Sequence, residues 1–440
     1  MNTMKIKGLL VFILAMPMTT QAQDGADEWT MNRCIDYAMT HATDIRKKKV
    51  AADNARQERG AAMAEFMPSL SASAGAQFSW GRNVDPETNT YNTITTFNNN
   101  YSVGGSLTLF DGGQTWNQFR KARLAVRQSD NALLQARDEK AIEVMEKYVD
   151  AVYAAASLKL TEAKLADSRA LLAKTRRMEE LGEKSYPDVA QIEAQVAEDE
   201  YSVEHQKTAA EKAQVMLKTA MGMAPETAPL SFPTDAENTG ADRAMGAAHV
   251  STGALAAERL ASADMSVSEA RIDYRLACGK LYPTLSLGGG ISTGYYKNLS
   301  ADAMGTAFSR QIKDNLGEYV YASLSIPLFD FRAIKNVKKA RNNIRLAEIE
   351  RDEMRLSVSS EYRQAVIDRD GYTREVELME RKVASDSIAH HLNTRKYEEG
   401  MLSTFDLHTS AQTLHDSRIR LLQTRMMAAI KRRLVNEYKI

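Results

Sequence analysis

The spacing of apolar residues predicts helices over most of this 440-residue chain. Residues 114–181 contain neither glycine nor proline, and Ile142, Met145 and Val149 follow the three-and-four spacing of a coiled-coil seam. A second long helix is predicted over residues 332–394. Half-length helices are predicted over residues 31–66, 188–221, 255–281 and 406–438. Two half helices stacked end to end match one long helix, so the pattern predicts an antiparallel rod about 100 Å tall.

Between the helices the pattern changes to an alternation of apolar and small polar residues, which is typical of strands. It predicts one β-hairpin over residues 68–111, with a long polar loop at 81–100, and another over 283–330, with a loop at 297–317. Such strands fit the wall of an outer-membrane barrel, and they fit equally a soluble β-subdomain that caps a helical bundle. The smallest such barrels need about eight strands, so four strands would have to be shared between subunits.

Landmarks at nearly constant offsets indicate two similar halves. Pro68 and Pro283, which precede the hairpins, are 215 residues apart, and Asp111 and Asp330, which follow them in two Leu-Phe-Asp sequences, are 219 apart. Both aspartates stand where a helix N-cap belongs. The chain is therefore expected to comprise a leader, a first repeat, an equatorial connection and a second repeat, at residues 1–22, 23–222, 223–250 and 251–440.

Each long helix is followed by the sequence Gly-x-x-Ser-x-x-Asp. The glycine suits a chain reversal after a helix. The serine and the aspartate are both candidates for capping the next helix, the aspartate also as a first-turn acid, and a direct role of the aspartates in selectivity stays open. These candidate residues are Gly182, Ser185, Asp188, Gly400, Ser403 and Asp406.

The N-terminus predicts export from the cytoplasm. Lys5 and Lys7 precede an apolar run over residues 8–18 that has the length of a signal-peptide core, and a cleavage site is predicted before Gln23. The whole chain has a net charge of zero and a mean hydropathy of -0.41. These values exclude a polytopic helical membrane protein and give no electrostatic reason to expect nucleic acid. Cys34 and Cys278 are expected to lie too far apart for a disulfide.

Taken in order, these landmarks resemble the TolC family of outer-membrane exit ducts over nearly the whole mature chain. The resemblance implies a mainly α protein with a membrane β-barrel part, in which a homotrimer builds one 12-stranded barrel and a helical tunnel. It implies a location in the outer membrane of a Gram-negative bacterium, in contact with its lipid and extending into the periplasm. It further implies a periplasmic membrane-fusion adaptor and an inner-membrane pump of the RND or ABC type as partners, with no cofactor.

In that family the second turn between helices carries the constriction of the pore. Asp406 matches the first of its two aspartates, and Tyr397 matches a tyrosine that, with an arginine, ties the entrance closed. Thr409 stands at the second aspartate position and Leu402 at the arginine position. The resemblance therefore implies a single ring of three Asp406 carboxylates, weaker block by cations, and a less firmly latched entrance.

Motifs of catalysis are absent from the sequence: it contains no phosphate-binding loop, no Gly-x-Ser-x-Gly and no His-Glu-x-x-His. His408 and His415 share a helix face and could meet a metal in a trimer, although solvated or seam-lining histidines are the simpler interpretation. The expected function is passive export of drugs, other small molecules or proteins, and metals are also possible cargo. The alternative is a secreted coiled-coil scaffold whose hairpins never enter lipid.

Overall fold

The structure is a computed structural model that describes residues 28–85, 89–233, 255–300 and 306–437. In this part, long helices carry four antiparallel strands, which confirms the prediction of a mainly α chain with four strands. The helices are α1 (Met31–His41), α2 (Thr43–Ala64), α3 (Gln114–Glu180), α4 (Tyr186–Met221), α5 (Leu255–Gly279), α6 (Phe308–Asp314), α7 (Phe331–Glu398) and α8 (Thr404–Glu437). The strands are β1 (Ser69–Asp85), β2 (Thr90–Phe110), β3 (Thr284–Asn298) and β4 (Gly317–Ser325). The predicted leader lies outside the described residues, as does part of the predicted connection.

The two long helices, α3 and α7, contain 67 and 68 residues, so each is about 100 Å long. Helix α4 packs along α3 and helix α8 along α7, while α2 and α5 pack on α3, and α5 also packs on α7. Each long helix is therefore accompanied by shorter helices, as the rod requires. Gly371 lies within α7, which continues four residues beyond its predicted end at 394.

The helix predicted over residues 31–66 is in fact two helices. They are separated at Ala42, whose ψ of 129° is not helical. Gly222, at the end of α4, lies against this break: a Cβ added to it would be 2.9 Å from the carbonyl oxygen of His41. Gly222 also has a φ of 76°, which favours glycine. The break belongs to a packed junction between distant segments, and this is why local periodicity missed it.

The strands form one sheet in the order β1-β2-β3-β4. Strands β1 and β2 pair from Ser69 opposite Ser106 to Asp85 opposite Thr90. The long loop predicted at 81–100 is therefore wrong, because most of these residues belong to strands. They include several threonines, Tyr91, Ile94 and Phe97, all residue types that favour strands. The predicted second loop, 297–317, does contain the short helix α6.

The sheet has one apolar face and one face of small polar residues. Val103 lies between Ala72 and Ile291, whereas its neighbour Ser102 pairs with Ser73, with 2.8 Å between the two hydroxyl oxygens. In the described protomer, β1 and β4 each have one unpaired edge. None of the described helices combines the length and apolarity needed to cross a bilayer.

The two exits from strand to helix use different caps. Asp330 is the N-cap of α7 and accepts a 2.8 Å hydrogen bond from the backbone N–H of Ala333, as predicted. The prediction that Asp111 caps α3 is wrong, because the N-cap residue is Gly113, with a φ of 78°. Asp111 stands two residues earlier, yet its carboxylate still accepts the backbone N–H of Thr115 at 2.6 Å. Gly112 and Gly113 both have left-handed backbone, so α3 begins only after them, at Gln114.

Pro68 and Pro283 directly precede β1 and β3, as predicted. The segment between β2 and α3 lies against the end of α5, which leads into β3. A Cβ at Gly112 would be 2.3 Å from the carbonyl oxygen of Gly279. The start of α3 and the end of α5 are therefore so closely packed that only glycine fits at this position.

The main core lies near the middle of the rod, where α1, the centre of α3, the end of α4 and the end of α8 meet. Met31, Met145, Tyr148 and Met221 are fully or almost fully buried there. Cys34 is buried in the same core, and burial raises the pKa of its thiol to about 12. Both cysteines are free, in agreement with the prediction that they do not form a disulfide.

Candidate functional site

The turn after α3 contains the left-handed glycine and the helix cap that the sequence predicts. Gly182 has a φ of 77° and no atom within 4 Å of an added Cβ, so its conformation alone requires glycine. Ser185 is the N-cap of α4 and Asp188 is its third residue. The backbone N–H and the hydroxyl of Ser185 both donate to the Asp188 carboxylate, at 3.2 and 2.7 Å. The hydroxyl bond is the main reason that the pKa of Asp188 is lowered.

The turn after α7 repeats this structure. Gly400 has a φ of 74°, and no atom lies within 4 Å of an added Cβ. The Ser403 hydroxyl accepts the backbone N–H of Asp406 at 3.1 Å and donates to its carboxylate at 2.7 Å. Serine therefore caps both helices, and the aspartates are first-turn acids. Capping occupies one carboxylate oxygen of the exposed Asp406. The ring of three carboxylates stays a prediction.

The structure joins the two turns directly, which sequence reasoning missed. The second oxygen of Asp188 accepts a 3.0 Å hydrogen bond from the hydroxyl of Thr404, the first residue of α8. The fully buried Tyr397 and Thr175 share a hydrogen bond of 3.1 Å between their hydroxyl oxygens. We call these two hydrogen bonds the turn bridges. They connect the α3–α4 pair to the α7–α8 pair within one subunit.

Two charged contacts lie beside the turn bridges. The Lys184 ammonium is 4.3 Å from the centre of the Tyr397 ring, a cation–π contact. Lys174 and Glu398 form an ion pair of 2.8 Å, and its hydrogen bond lowers the pKa of Glu398. Both partners of this pair are about half exposed, so it contributes little to stability. Thus Tyr397 has partners in this structure, although Leu402 stands where the resemblance implies an arginine.

A cavity of about 760 Å³ lies next to these turns, between the two helix pairs. His390, His408 and His415 line it, together with Lys164, Asp167 and Arg418. Burial lowers the pKa of all three histidines. Among the described residues, no group of histidine, cysteine, aspartate or glutamate is arranged to hold a metal ion.

A buried aspartate that the sequence did not single out holds one wall of the cavity. Asp199 is fully buried and accepts hydrogen bonds from Ser168 and Gln195, at 2.5 and 2.8 Å. Lys164 forms a 3.0 Å ion pair with it and also donates to Gln412 on α8. This network ties α3, α4 and α8 together, so the region holds polar interactions where a coiled coil would have apolar ones. In the sequence, the signal for this network is one acidic residue, Asp199, at the spacing of the apolar residues Ile192 and Val196.

A family model described as "outer membrane efflux protein" matches residues 34–223 and 254–433. The chain belongs to the outer membrane efflux protein family. The two matched segments span most of the chain, and each contains one hairpin, one long helix and one of the turns. The prediction from the sequence is thereby confirmed, including a location in the outer membrane.

Solved structures share the fold of this efflux protein at low sequence identity. A structure of CusC described in terms of transmembrane channel formation aligns with a TM-score of 0.78 and 17% identity, covering 94% of this chain and 92% of the other. CmeC of Campylobacter jejuni, an outer membrane channel, gives 0.77 and 14%, covering 99% and 93%. VceC of Vibrio cholerae, an outer membrane protein, gives 0.75 and 14%, covering 92% and 96%. No curated protein sequence is significantly similar to the chain.

Proposed function

We propose that three copies of this efflux protein assemble into a passive exit duct with one shared barrel. The observation that carries this proposal is the sheet itself, whose four strands leave one edge of β1 and one edge of β4 unpaired. Unpaired edges in lipid are costly, because no water is available to satisfy their backbone groups. Pairing β4 of each copy with β1 of the next would close twelve strands and remove every edge.

An apolar stripe on α7 supports the same assembly. Ala333, Ala340 and Ala347 recur at sevens and are buried, so they mark the face of α7 that packs within the subunit. Roughly opposite this seam lie large apolar side chains that are 51–74% exposed. They are Leu346, Ile349, Leu356, Ile367, Leu378 and Leu392. A neighbouring copy of the chain would bury this stripe, as a soluble monomer would not.

The proposal assigns the two turns to the periplasmic entrance, where an adaptor of the membrane-fusion type would dock and an inner-membrane RND or ABC pump would supply energy. The duct would carry drugs, other small molecules or proteins and catalyse no reaction. Its organisation would be that of two repeats, at residues 23–222 and 251–440, after a leader at 1–22. Support comes from the family, from the channel fold of the solved structures, and from the matching turns.

Extraction and conductance test this proposal against the scaffold alternative. We expect the protein to leave outer membranes only with detergent, to migrate as an SDS-resistant trimer, and to form pores in planar bilayers. A protein that salt washes from membranes as a monomer, with no pore activity, would instead be the scaffold. Deleting β4 should abolish both the trimer and the pores, because it removes one side of each shared edge.

The predicted Asp406 ring has its own test. In Asp406→Asn trimers we expect block of the pore by Mg²⁺ to need roughly tenfold more ion, because three carboxylates near one cation are neutralised. The asparagine oxygen can still accept the Ser403 hydroxyl, so the cap is kept. Asp416→Asn, on the same helix, is the matched control. An unchanged block in the Asp406 variant would exclude the ring.

A further inference from the structure

Helix α3 carries a row of exposed arginines immediately beyond the sheet. Trp116, Arg120, Arg123 and Arg127 follow one another at spacings of four, three and four residues, so they share one face of the helix. All four side chains are exposed, and the indole of Trp116 is 57% exposed. We call Arg120, Arg123 and Arg127 the arginine stripe.

Between Trp116 and Arg127 helix α3 carries no acidic residue, and the next one along this face, Asp130, is paired with Arg56 of α2 at 2.7 Å. Residues 114–129 contain no aspartate or glutamate. Within the described residues, none of the three guanidinium groups forms an ion pair or a hydrogen bond. By contrast Lys121, on another face of α3, pairs with Asp273 and Glu269 at 2.7 and 3.3 Å. Acids are therefore supplied where α3 packs on α5 and not along the stripe, which suits an anionic partner from outside the chain.

The face of the stripe is not a subunit contact, because α3 has neighbours on both sides at this level. On one side, Arg56 of α2 pairs with Asp130 at 2.7 Å. On the other side, Lys121 reaches α5 through Asp273. The exposed face of α3 must therefore point away from the ring of helices, either outward or into the lumen.

Aromatic residues identify this face as the outward one. Trp116 makes edge contacts with Phe66, whose ring is also exposed, and it packs near Phe119. The group lies where Pro68 and Asp111 mark the ends of the strands. Exposed tryptophan and phenylalanine at this level are typical of the boundary between lipid and water, and a water-filled lumen would offer them no apolar contact.

The distances along α3 suit lipid head groups. At 1.5 Å per residue, Arg120, Arg123 and Arg127 lie about 6, 10 and 16 Å beyond Trp116. Side chains of a helix lean toward its N-terminus, which here is the membrane end, so the guanidinium groups reach back toward the bilayer. The head-group layer is roughly 5–8 Å thick. Arg120 and Arg123 are thus within reach of lipid phosphates, and Arg127 only barely.

From this arrangement we infer that the arginine stripe binds the phosphate groups of anionic lipids in the periplasmic leaflet of the outer membrane. Arginine suits this role because its planar fork can donate two hydrogen bonds to one phosphate. The inference rests on the proposed function, since it needs the strands to lie in that membrane. In a trimer the stripe would occur three times around the duct and fix its depth in the bilayer.

Trp116 itself provides the measurement. The chain has three tryptophans, so Trp29→Phe with Trp80→Phe leaves Trp116 as the sole reporter next to the stripe. The full-length protein is reconstituted in phosphatidylcholine vesicles containing a small fraction of either nitroxide-labelled phosphatidylglycerol or nitroxide-labelled phosphatidylcholine. At low salt we expect labelled phosphatidylglycerol to be enriched near Trp116 roughly fivefold for each arginine that reaches a phosphate. High salt should remove the difference.

Charge variants complete the test. Arg120→Gln with Arg123→Gln should abolish the excess quenching by phosphatidylglycerol, while Arg127→Gln alone should have a smaller effect. The control, Lys159→Gln with Lys207→Gln and Lys212→Gln, neutralises exposed cations far from the strands and should keep it. Equal quenching by the two lipids in the parent would overturn the inference, as would no quenching by either. Pore conductance of the same vesicles reports on the proposed function separately.

Discussion

Trimers in which Thr175→Val and Thr404→Val are combined should conduct ions severalfold more strongly than the native duct. Each substitution removes the hydroxyl of one turn bridge, so Tyr397 loses its buried partner and Asp188 loses its contact with α8. A hydrogen bond contributes about 1 kcal/mol net, and more when a charged or buried partner is left behind. Losing both bridges should therefore cost the bridged arrangement of the turns about 3 kcal/mol, which shifts the ratio of bridged to separated turns roughly 100-fold.

Single-channel recordings in planar bilayers measure this shift. The matched control is Thr373→Val with Thr424→Val, because these hydroxyls donate to carbonyl oxygens of their own helix, at 2.7 and 2.8 Å, away from the turns. The control should conduct like the native protein. If the bridge variant forms stable trimers and its conductance equals that of the control, the turn bridges do not hold the entrance closed.

The turns show which part of the site a sequence can predict. Gly182 and Gly400 were identified because a left-handed residue after a helix is a local requirement, and Ser185 and Ser403 because capping involves only the next three residues. The partners across the turns were not predictable. Thr404 reaches Asp188 only because two helix pairs end at the same height, and no spacing along the chain contains that information.

The sheet and the helix predicted over residues 31–66 also show that a sequence predicts local features better than long-range contacts. Alternation along the sequence predicts the strands but not their ends, because the Asn- and Thr-rich sequence at 81–100 is more polar than a typical strand. Pairing with β1 overrides that polarity along β2. Likewise the break at Ala42 depends on Gly222, at the end of another helix. Local chemistry predicted the kinds of elements, and long-range contacts set their limits.

Acidification from pH 7.5 to 5.5 should open the duct, raising its conductance by a factor of about three to ten. His390, His408 and His415 line the cavity between the two helix pairs, and burial there lowers the pKa of each. A lowered histidine pKa means that the described arrangement, with the helix pairs packed together, disfavours the proton. This arrangement is thus unaffected above the ordinary histidine pKa of about 6.5, and it loses stability as the pH falls below that value.

The charges around the histidines work in both directions. Lys164, Arg418 and, for His390, His391 oppose protonation, whereas the acids nearby favour it, and these acids are Asp167, Asp199 and Asp416. Burial is the largest cause for each histidine, so the balance favours the neutral form. Once charged, the imidazoles would repel Lys164, which bridges α3 to both Asp199 and Gln412. Separation of the helix pairs exposes the imidazoles to water and relieves this cost.

Histidine substitutions distinguish the titration of the three histidines from that of Asp188 in the turn after α3. The combined variant His390→Gln, His408→Gln and His415→Gln should show a flat conductance between pH 7.5 and 5.5, whereas His205→Gln, exposed on α4, should respond like the native duct. A native duct with no response in this range would contradict the prediction. Asp188 does not interfere, because its pKa lies below the ordinary aspartate value of 3.8 and its bridge to Thr404 persists throughout the window. An opening that began only below about pH 4 would therefore implicate Asp188, whereas one centred between about pH 4 and 6.5 would implicate the histidines.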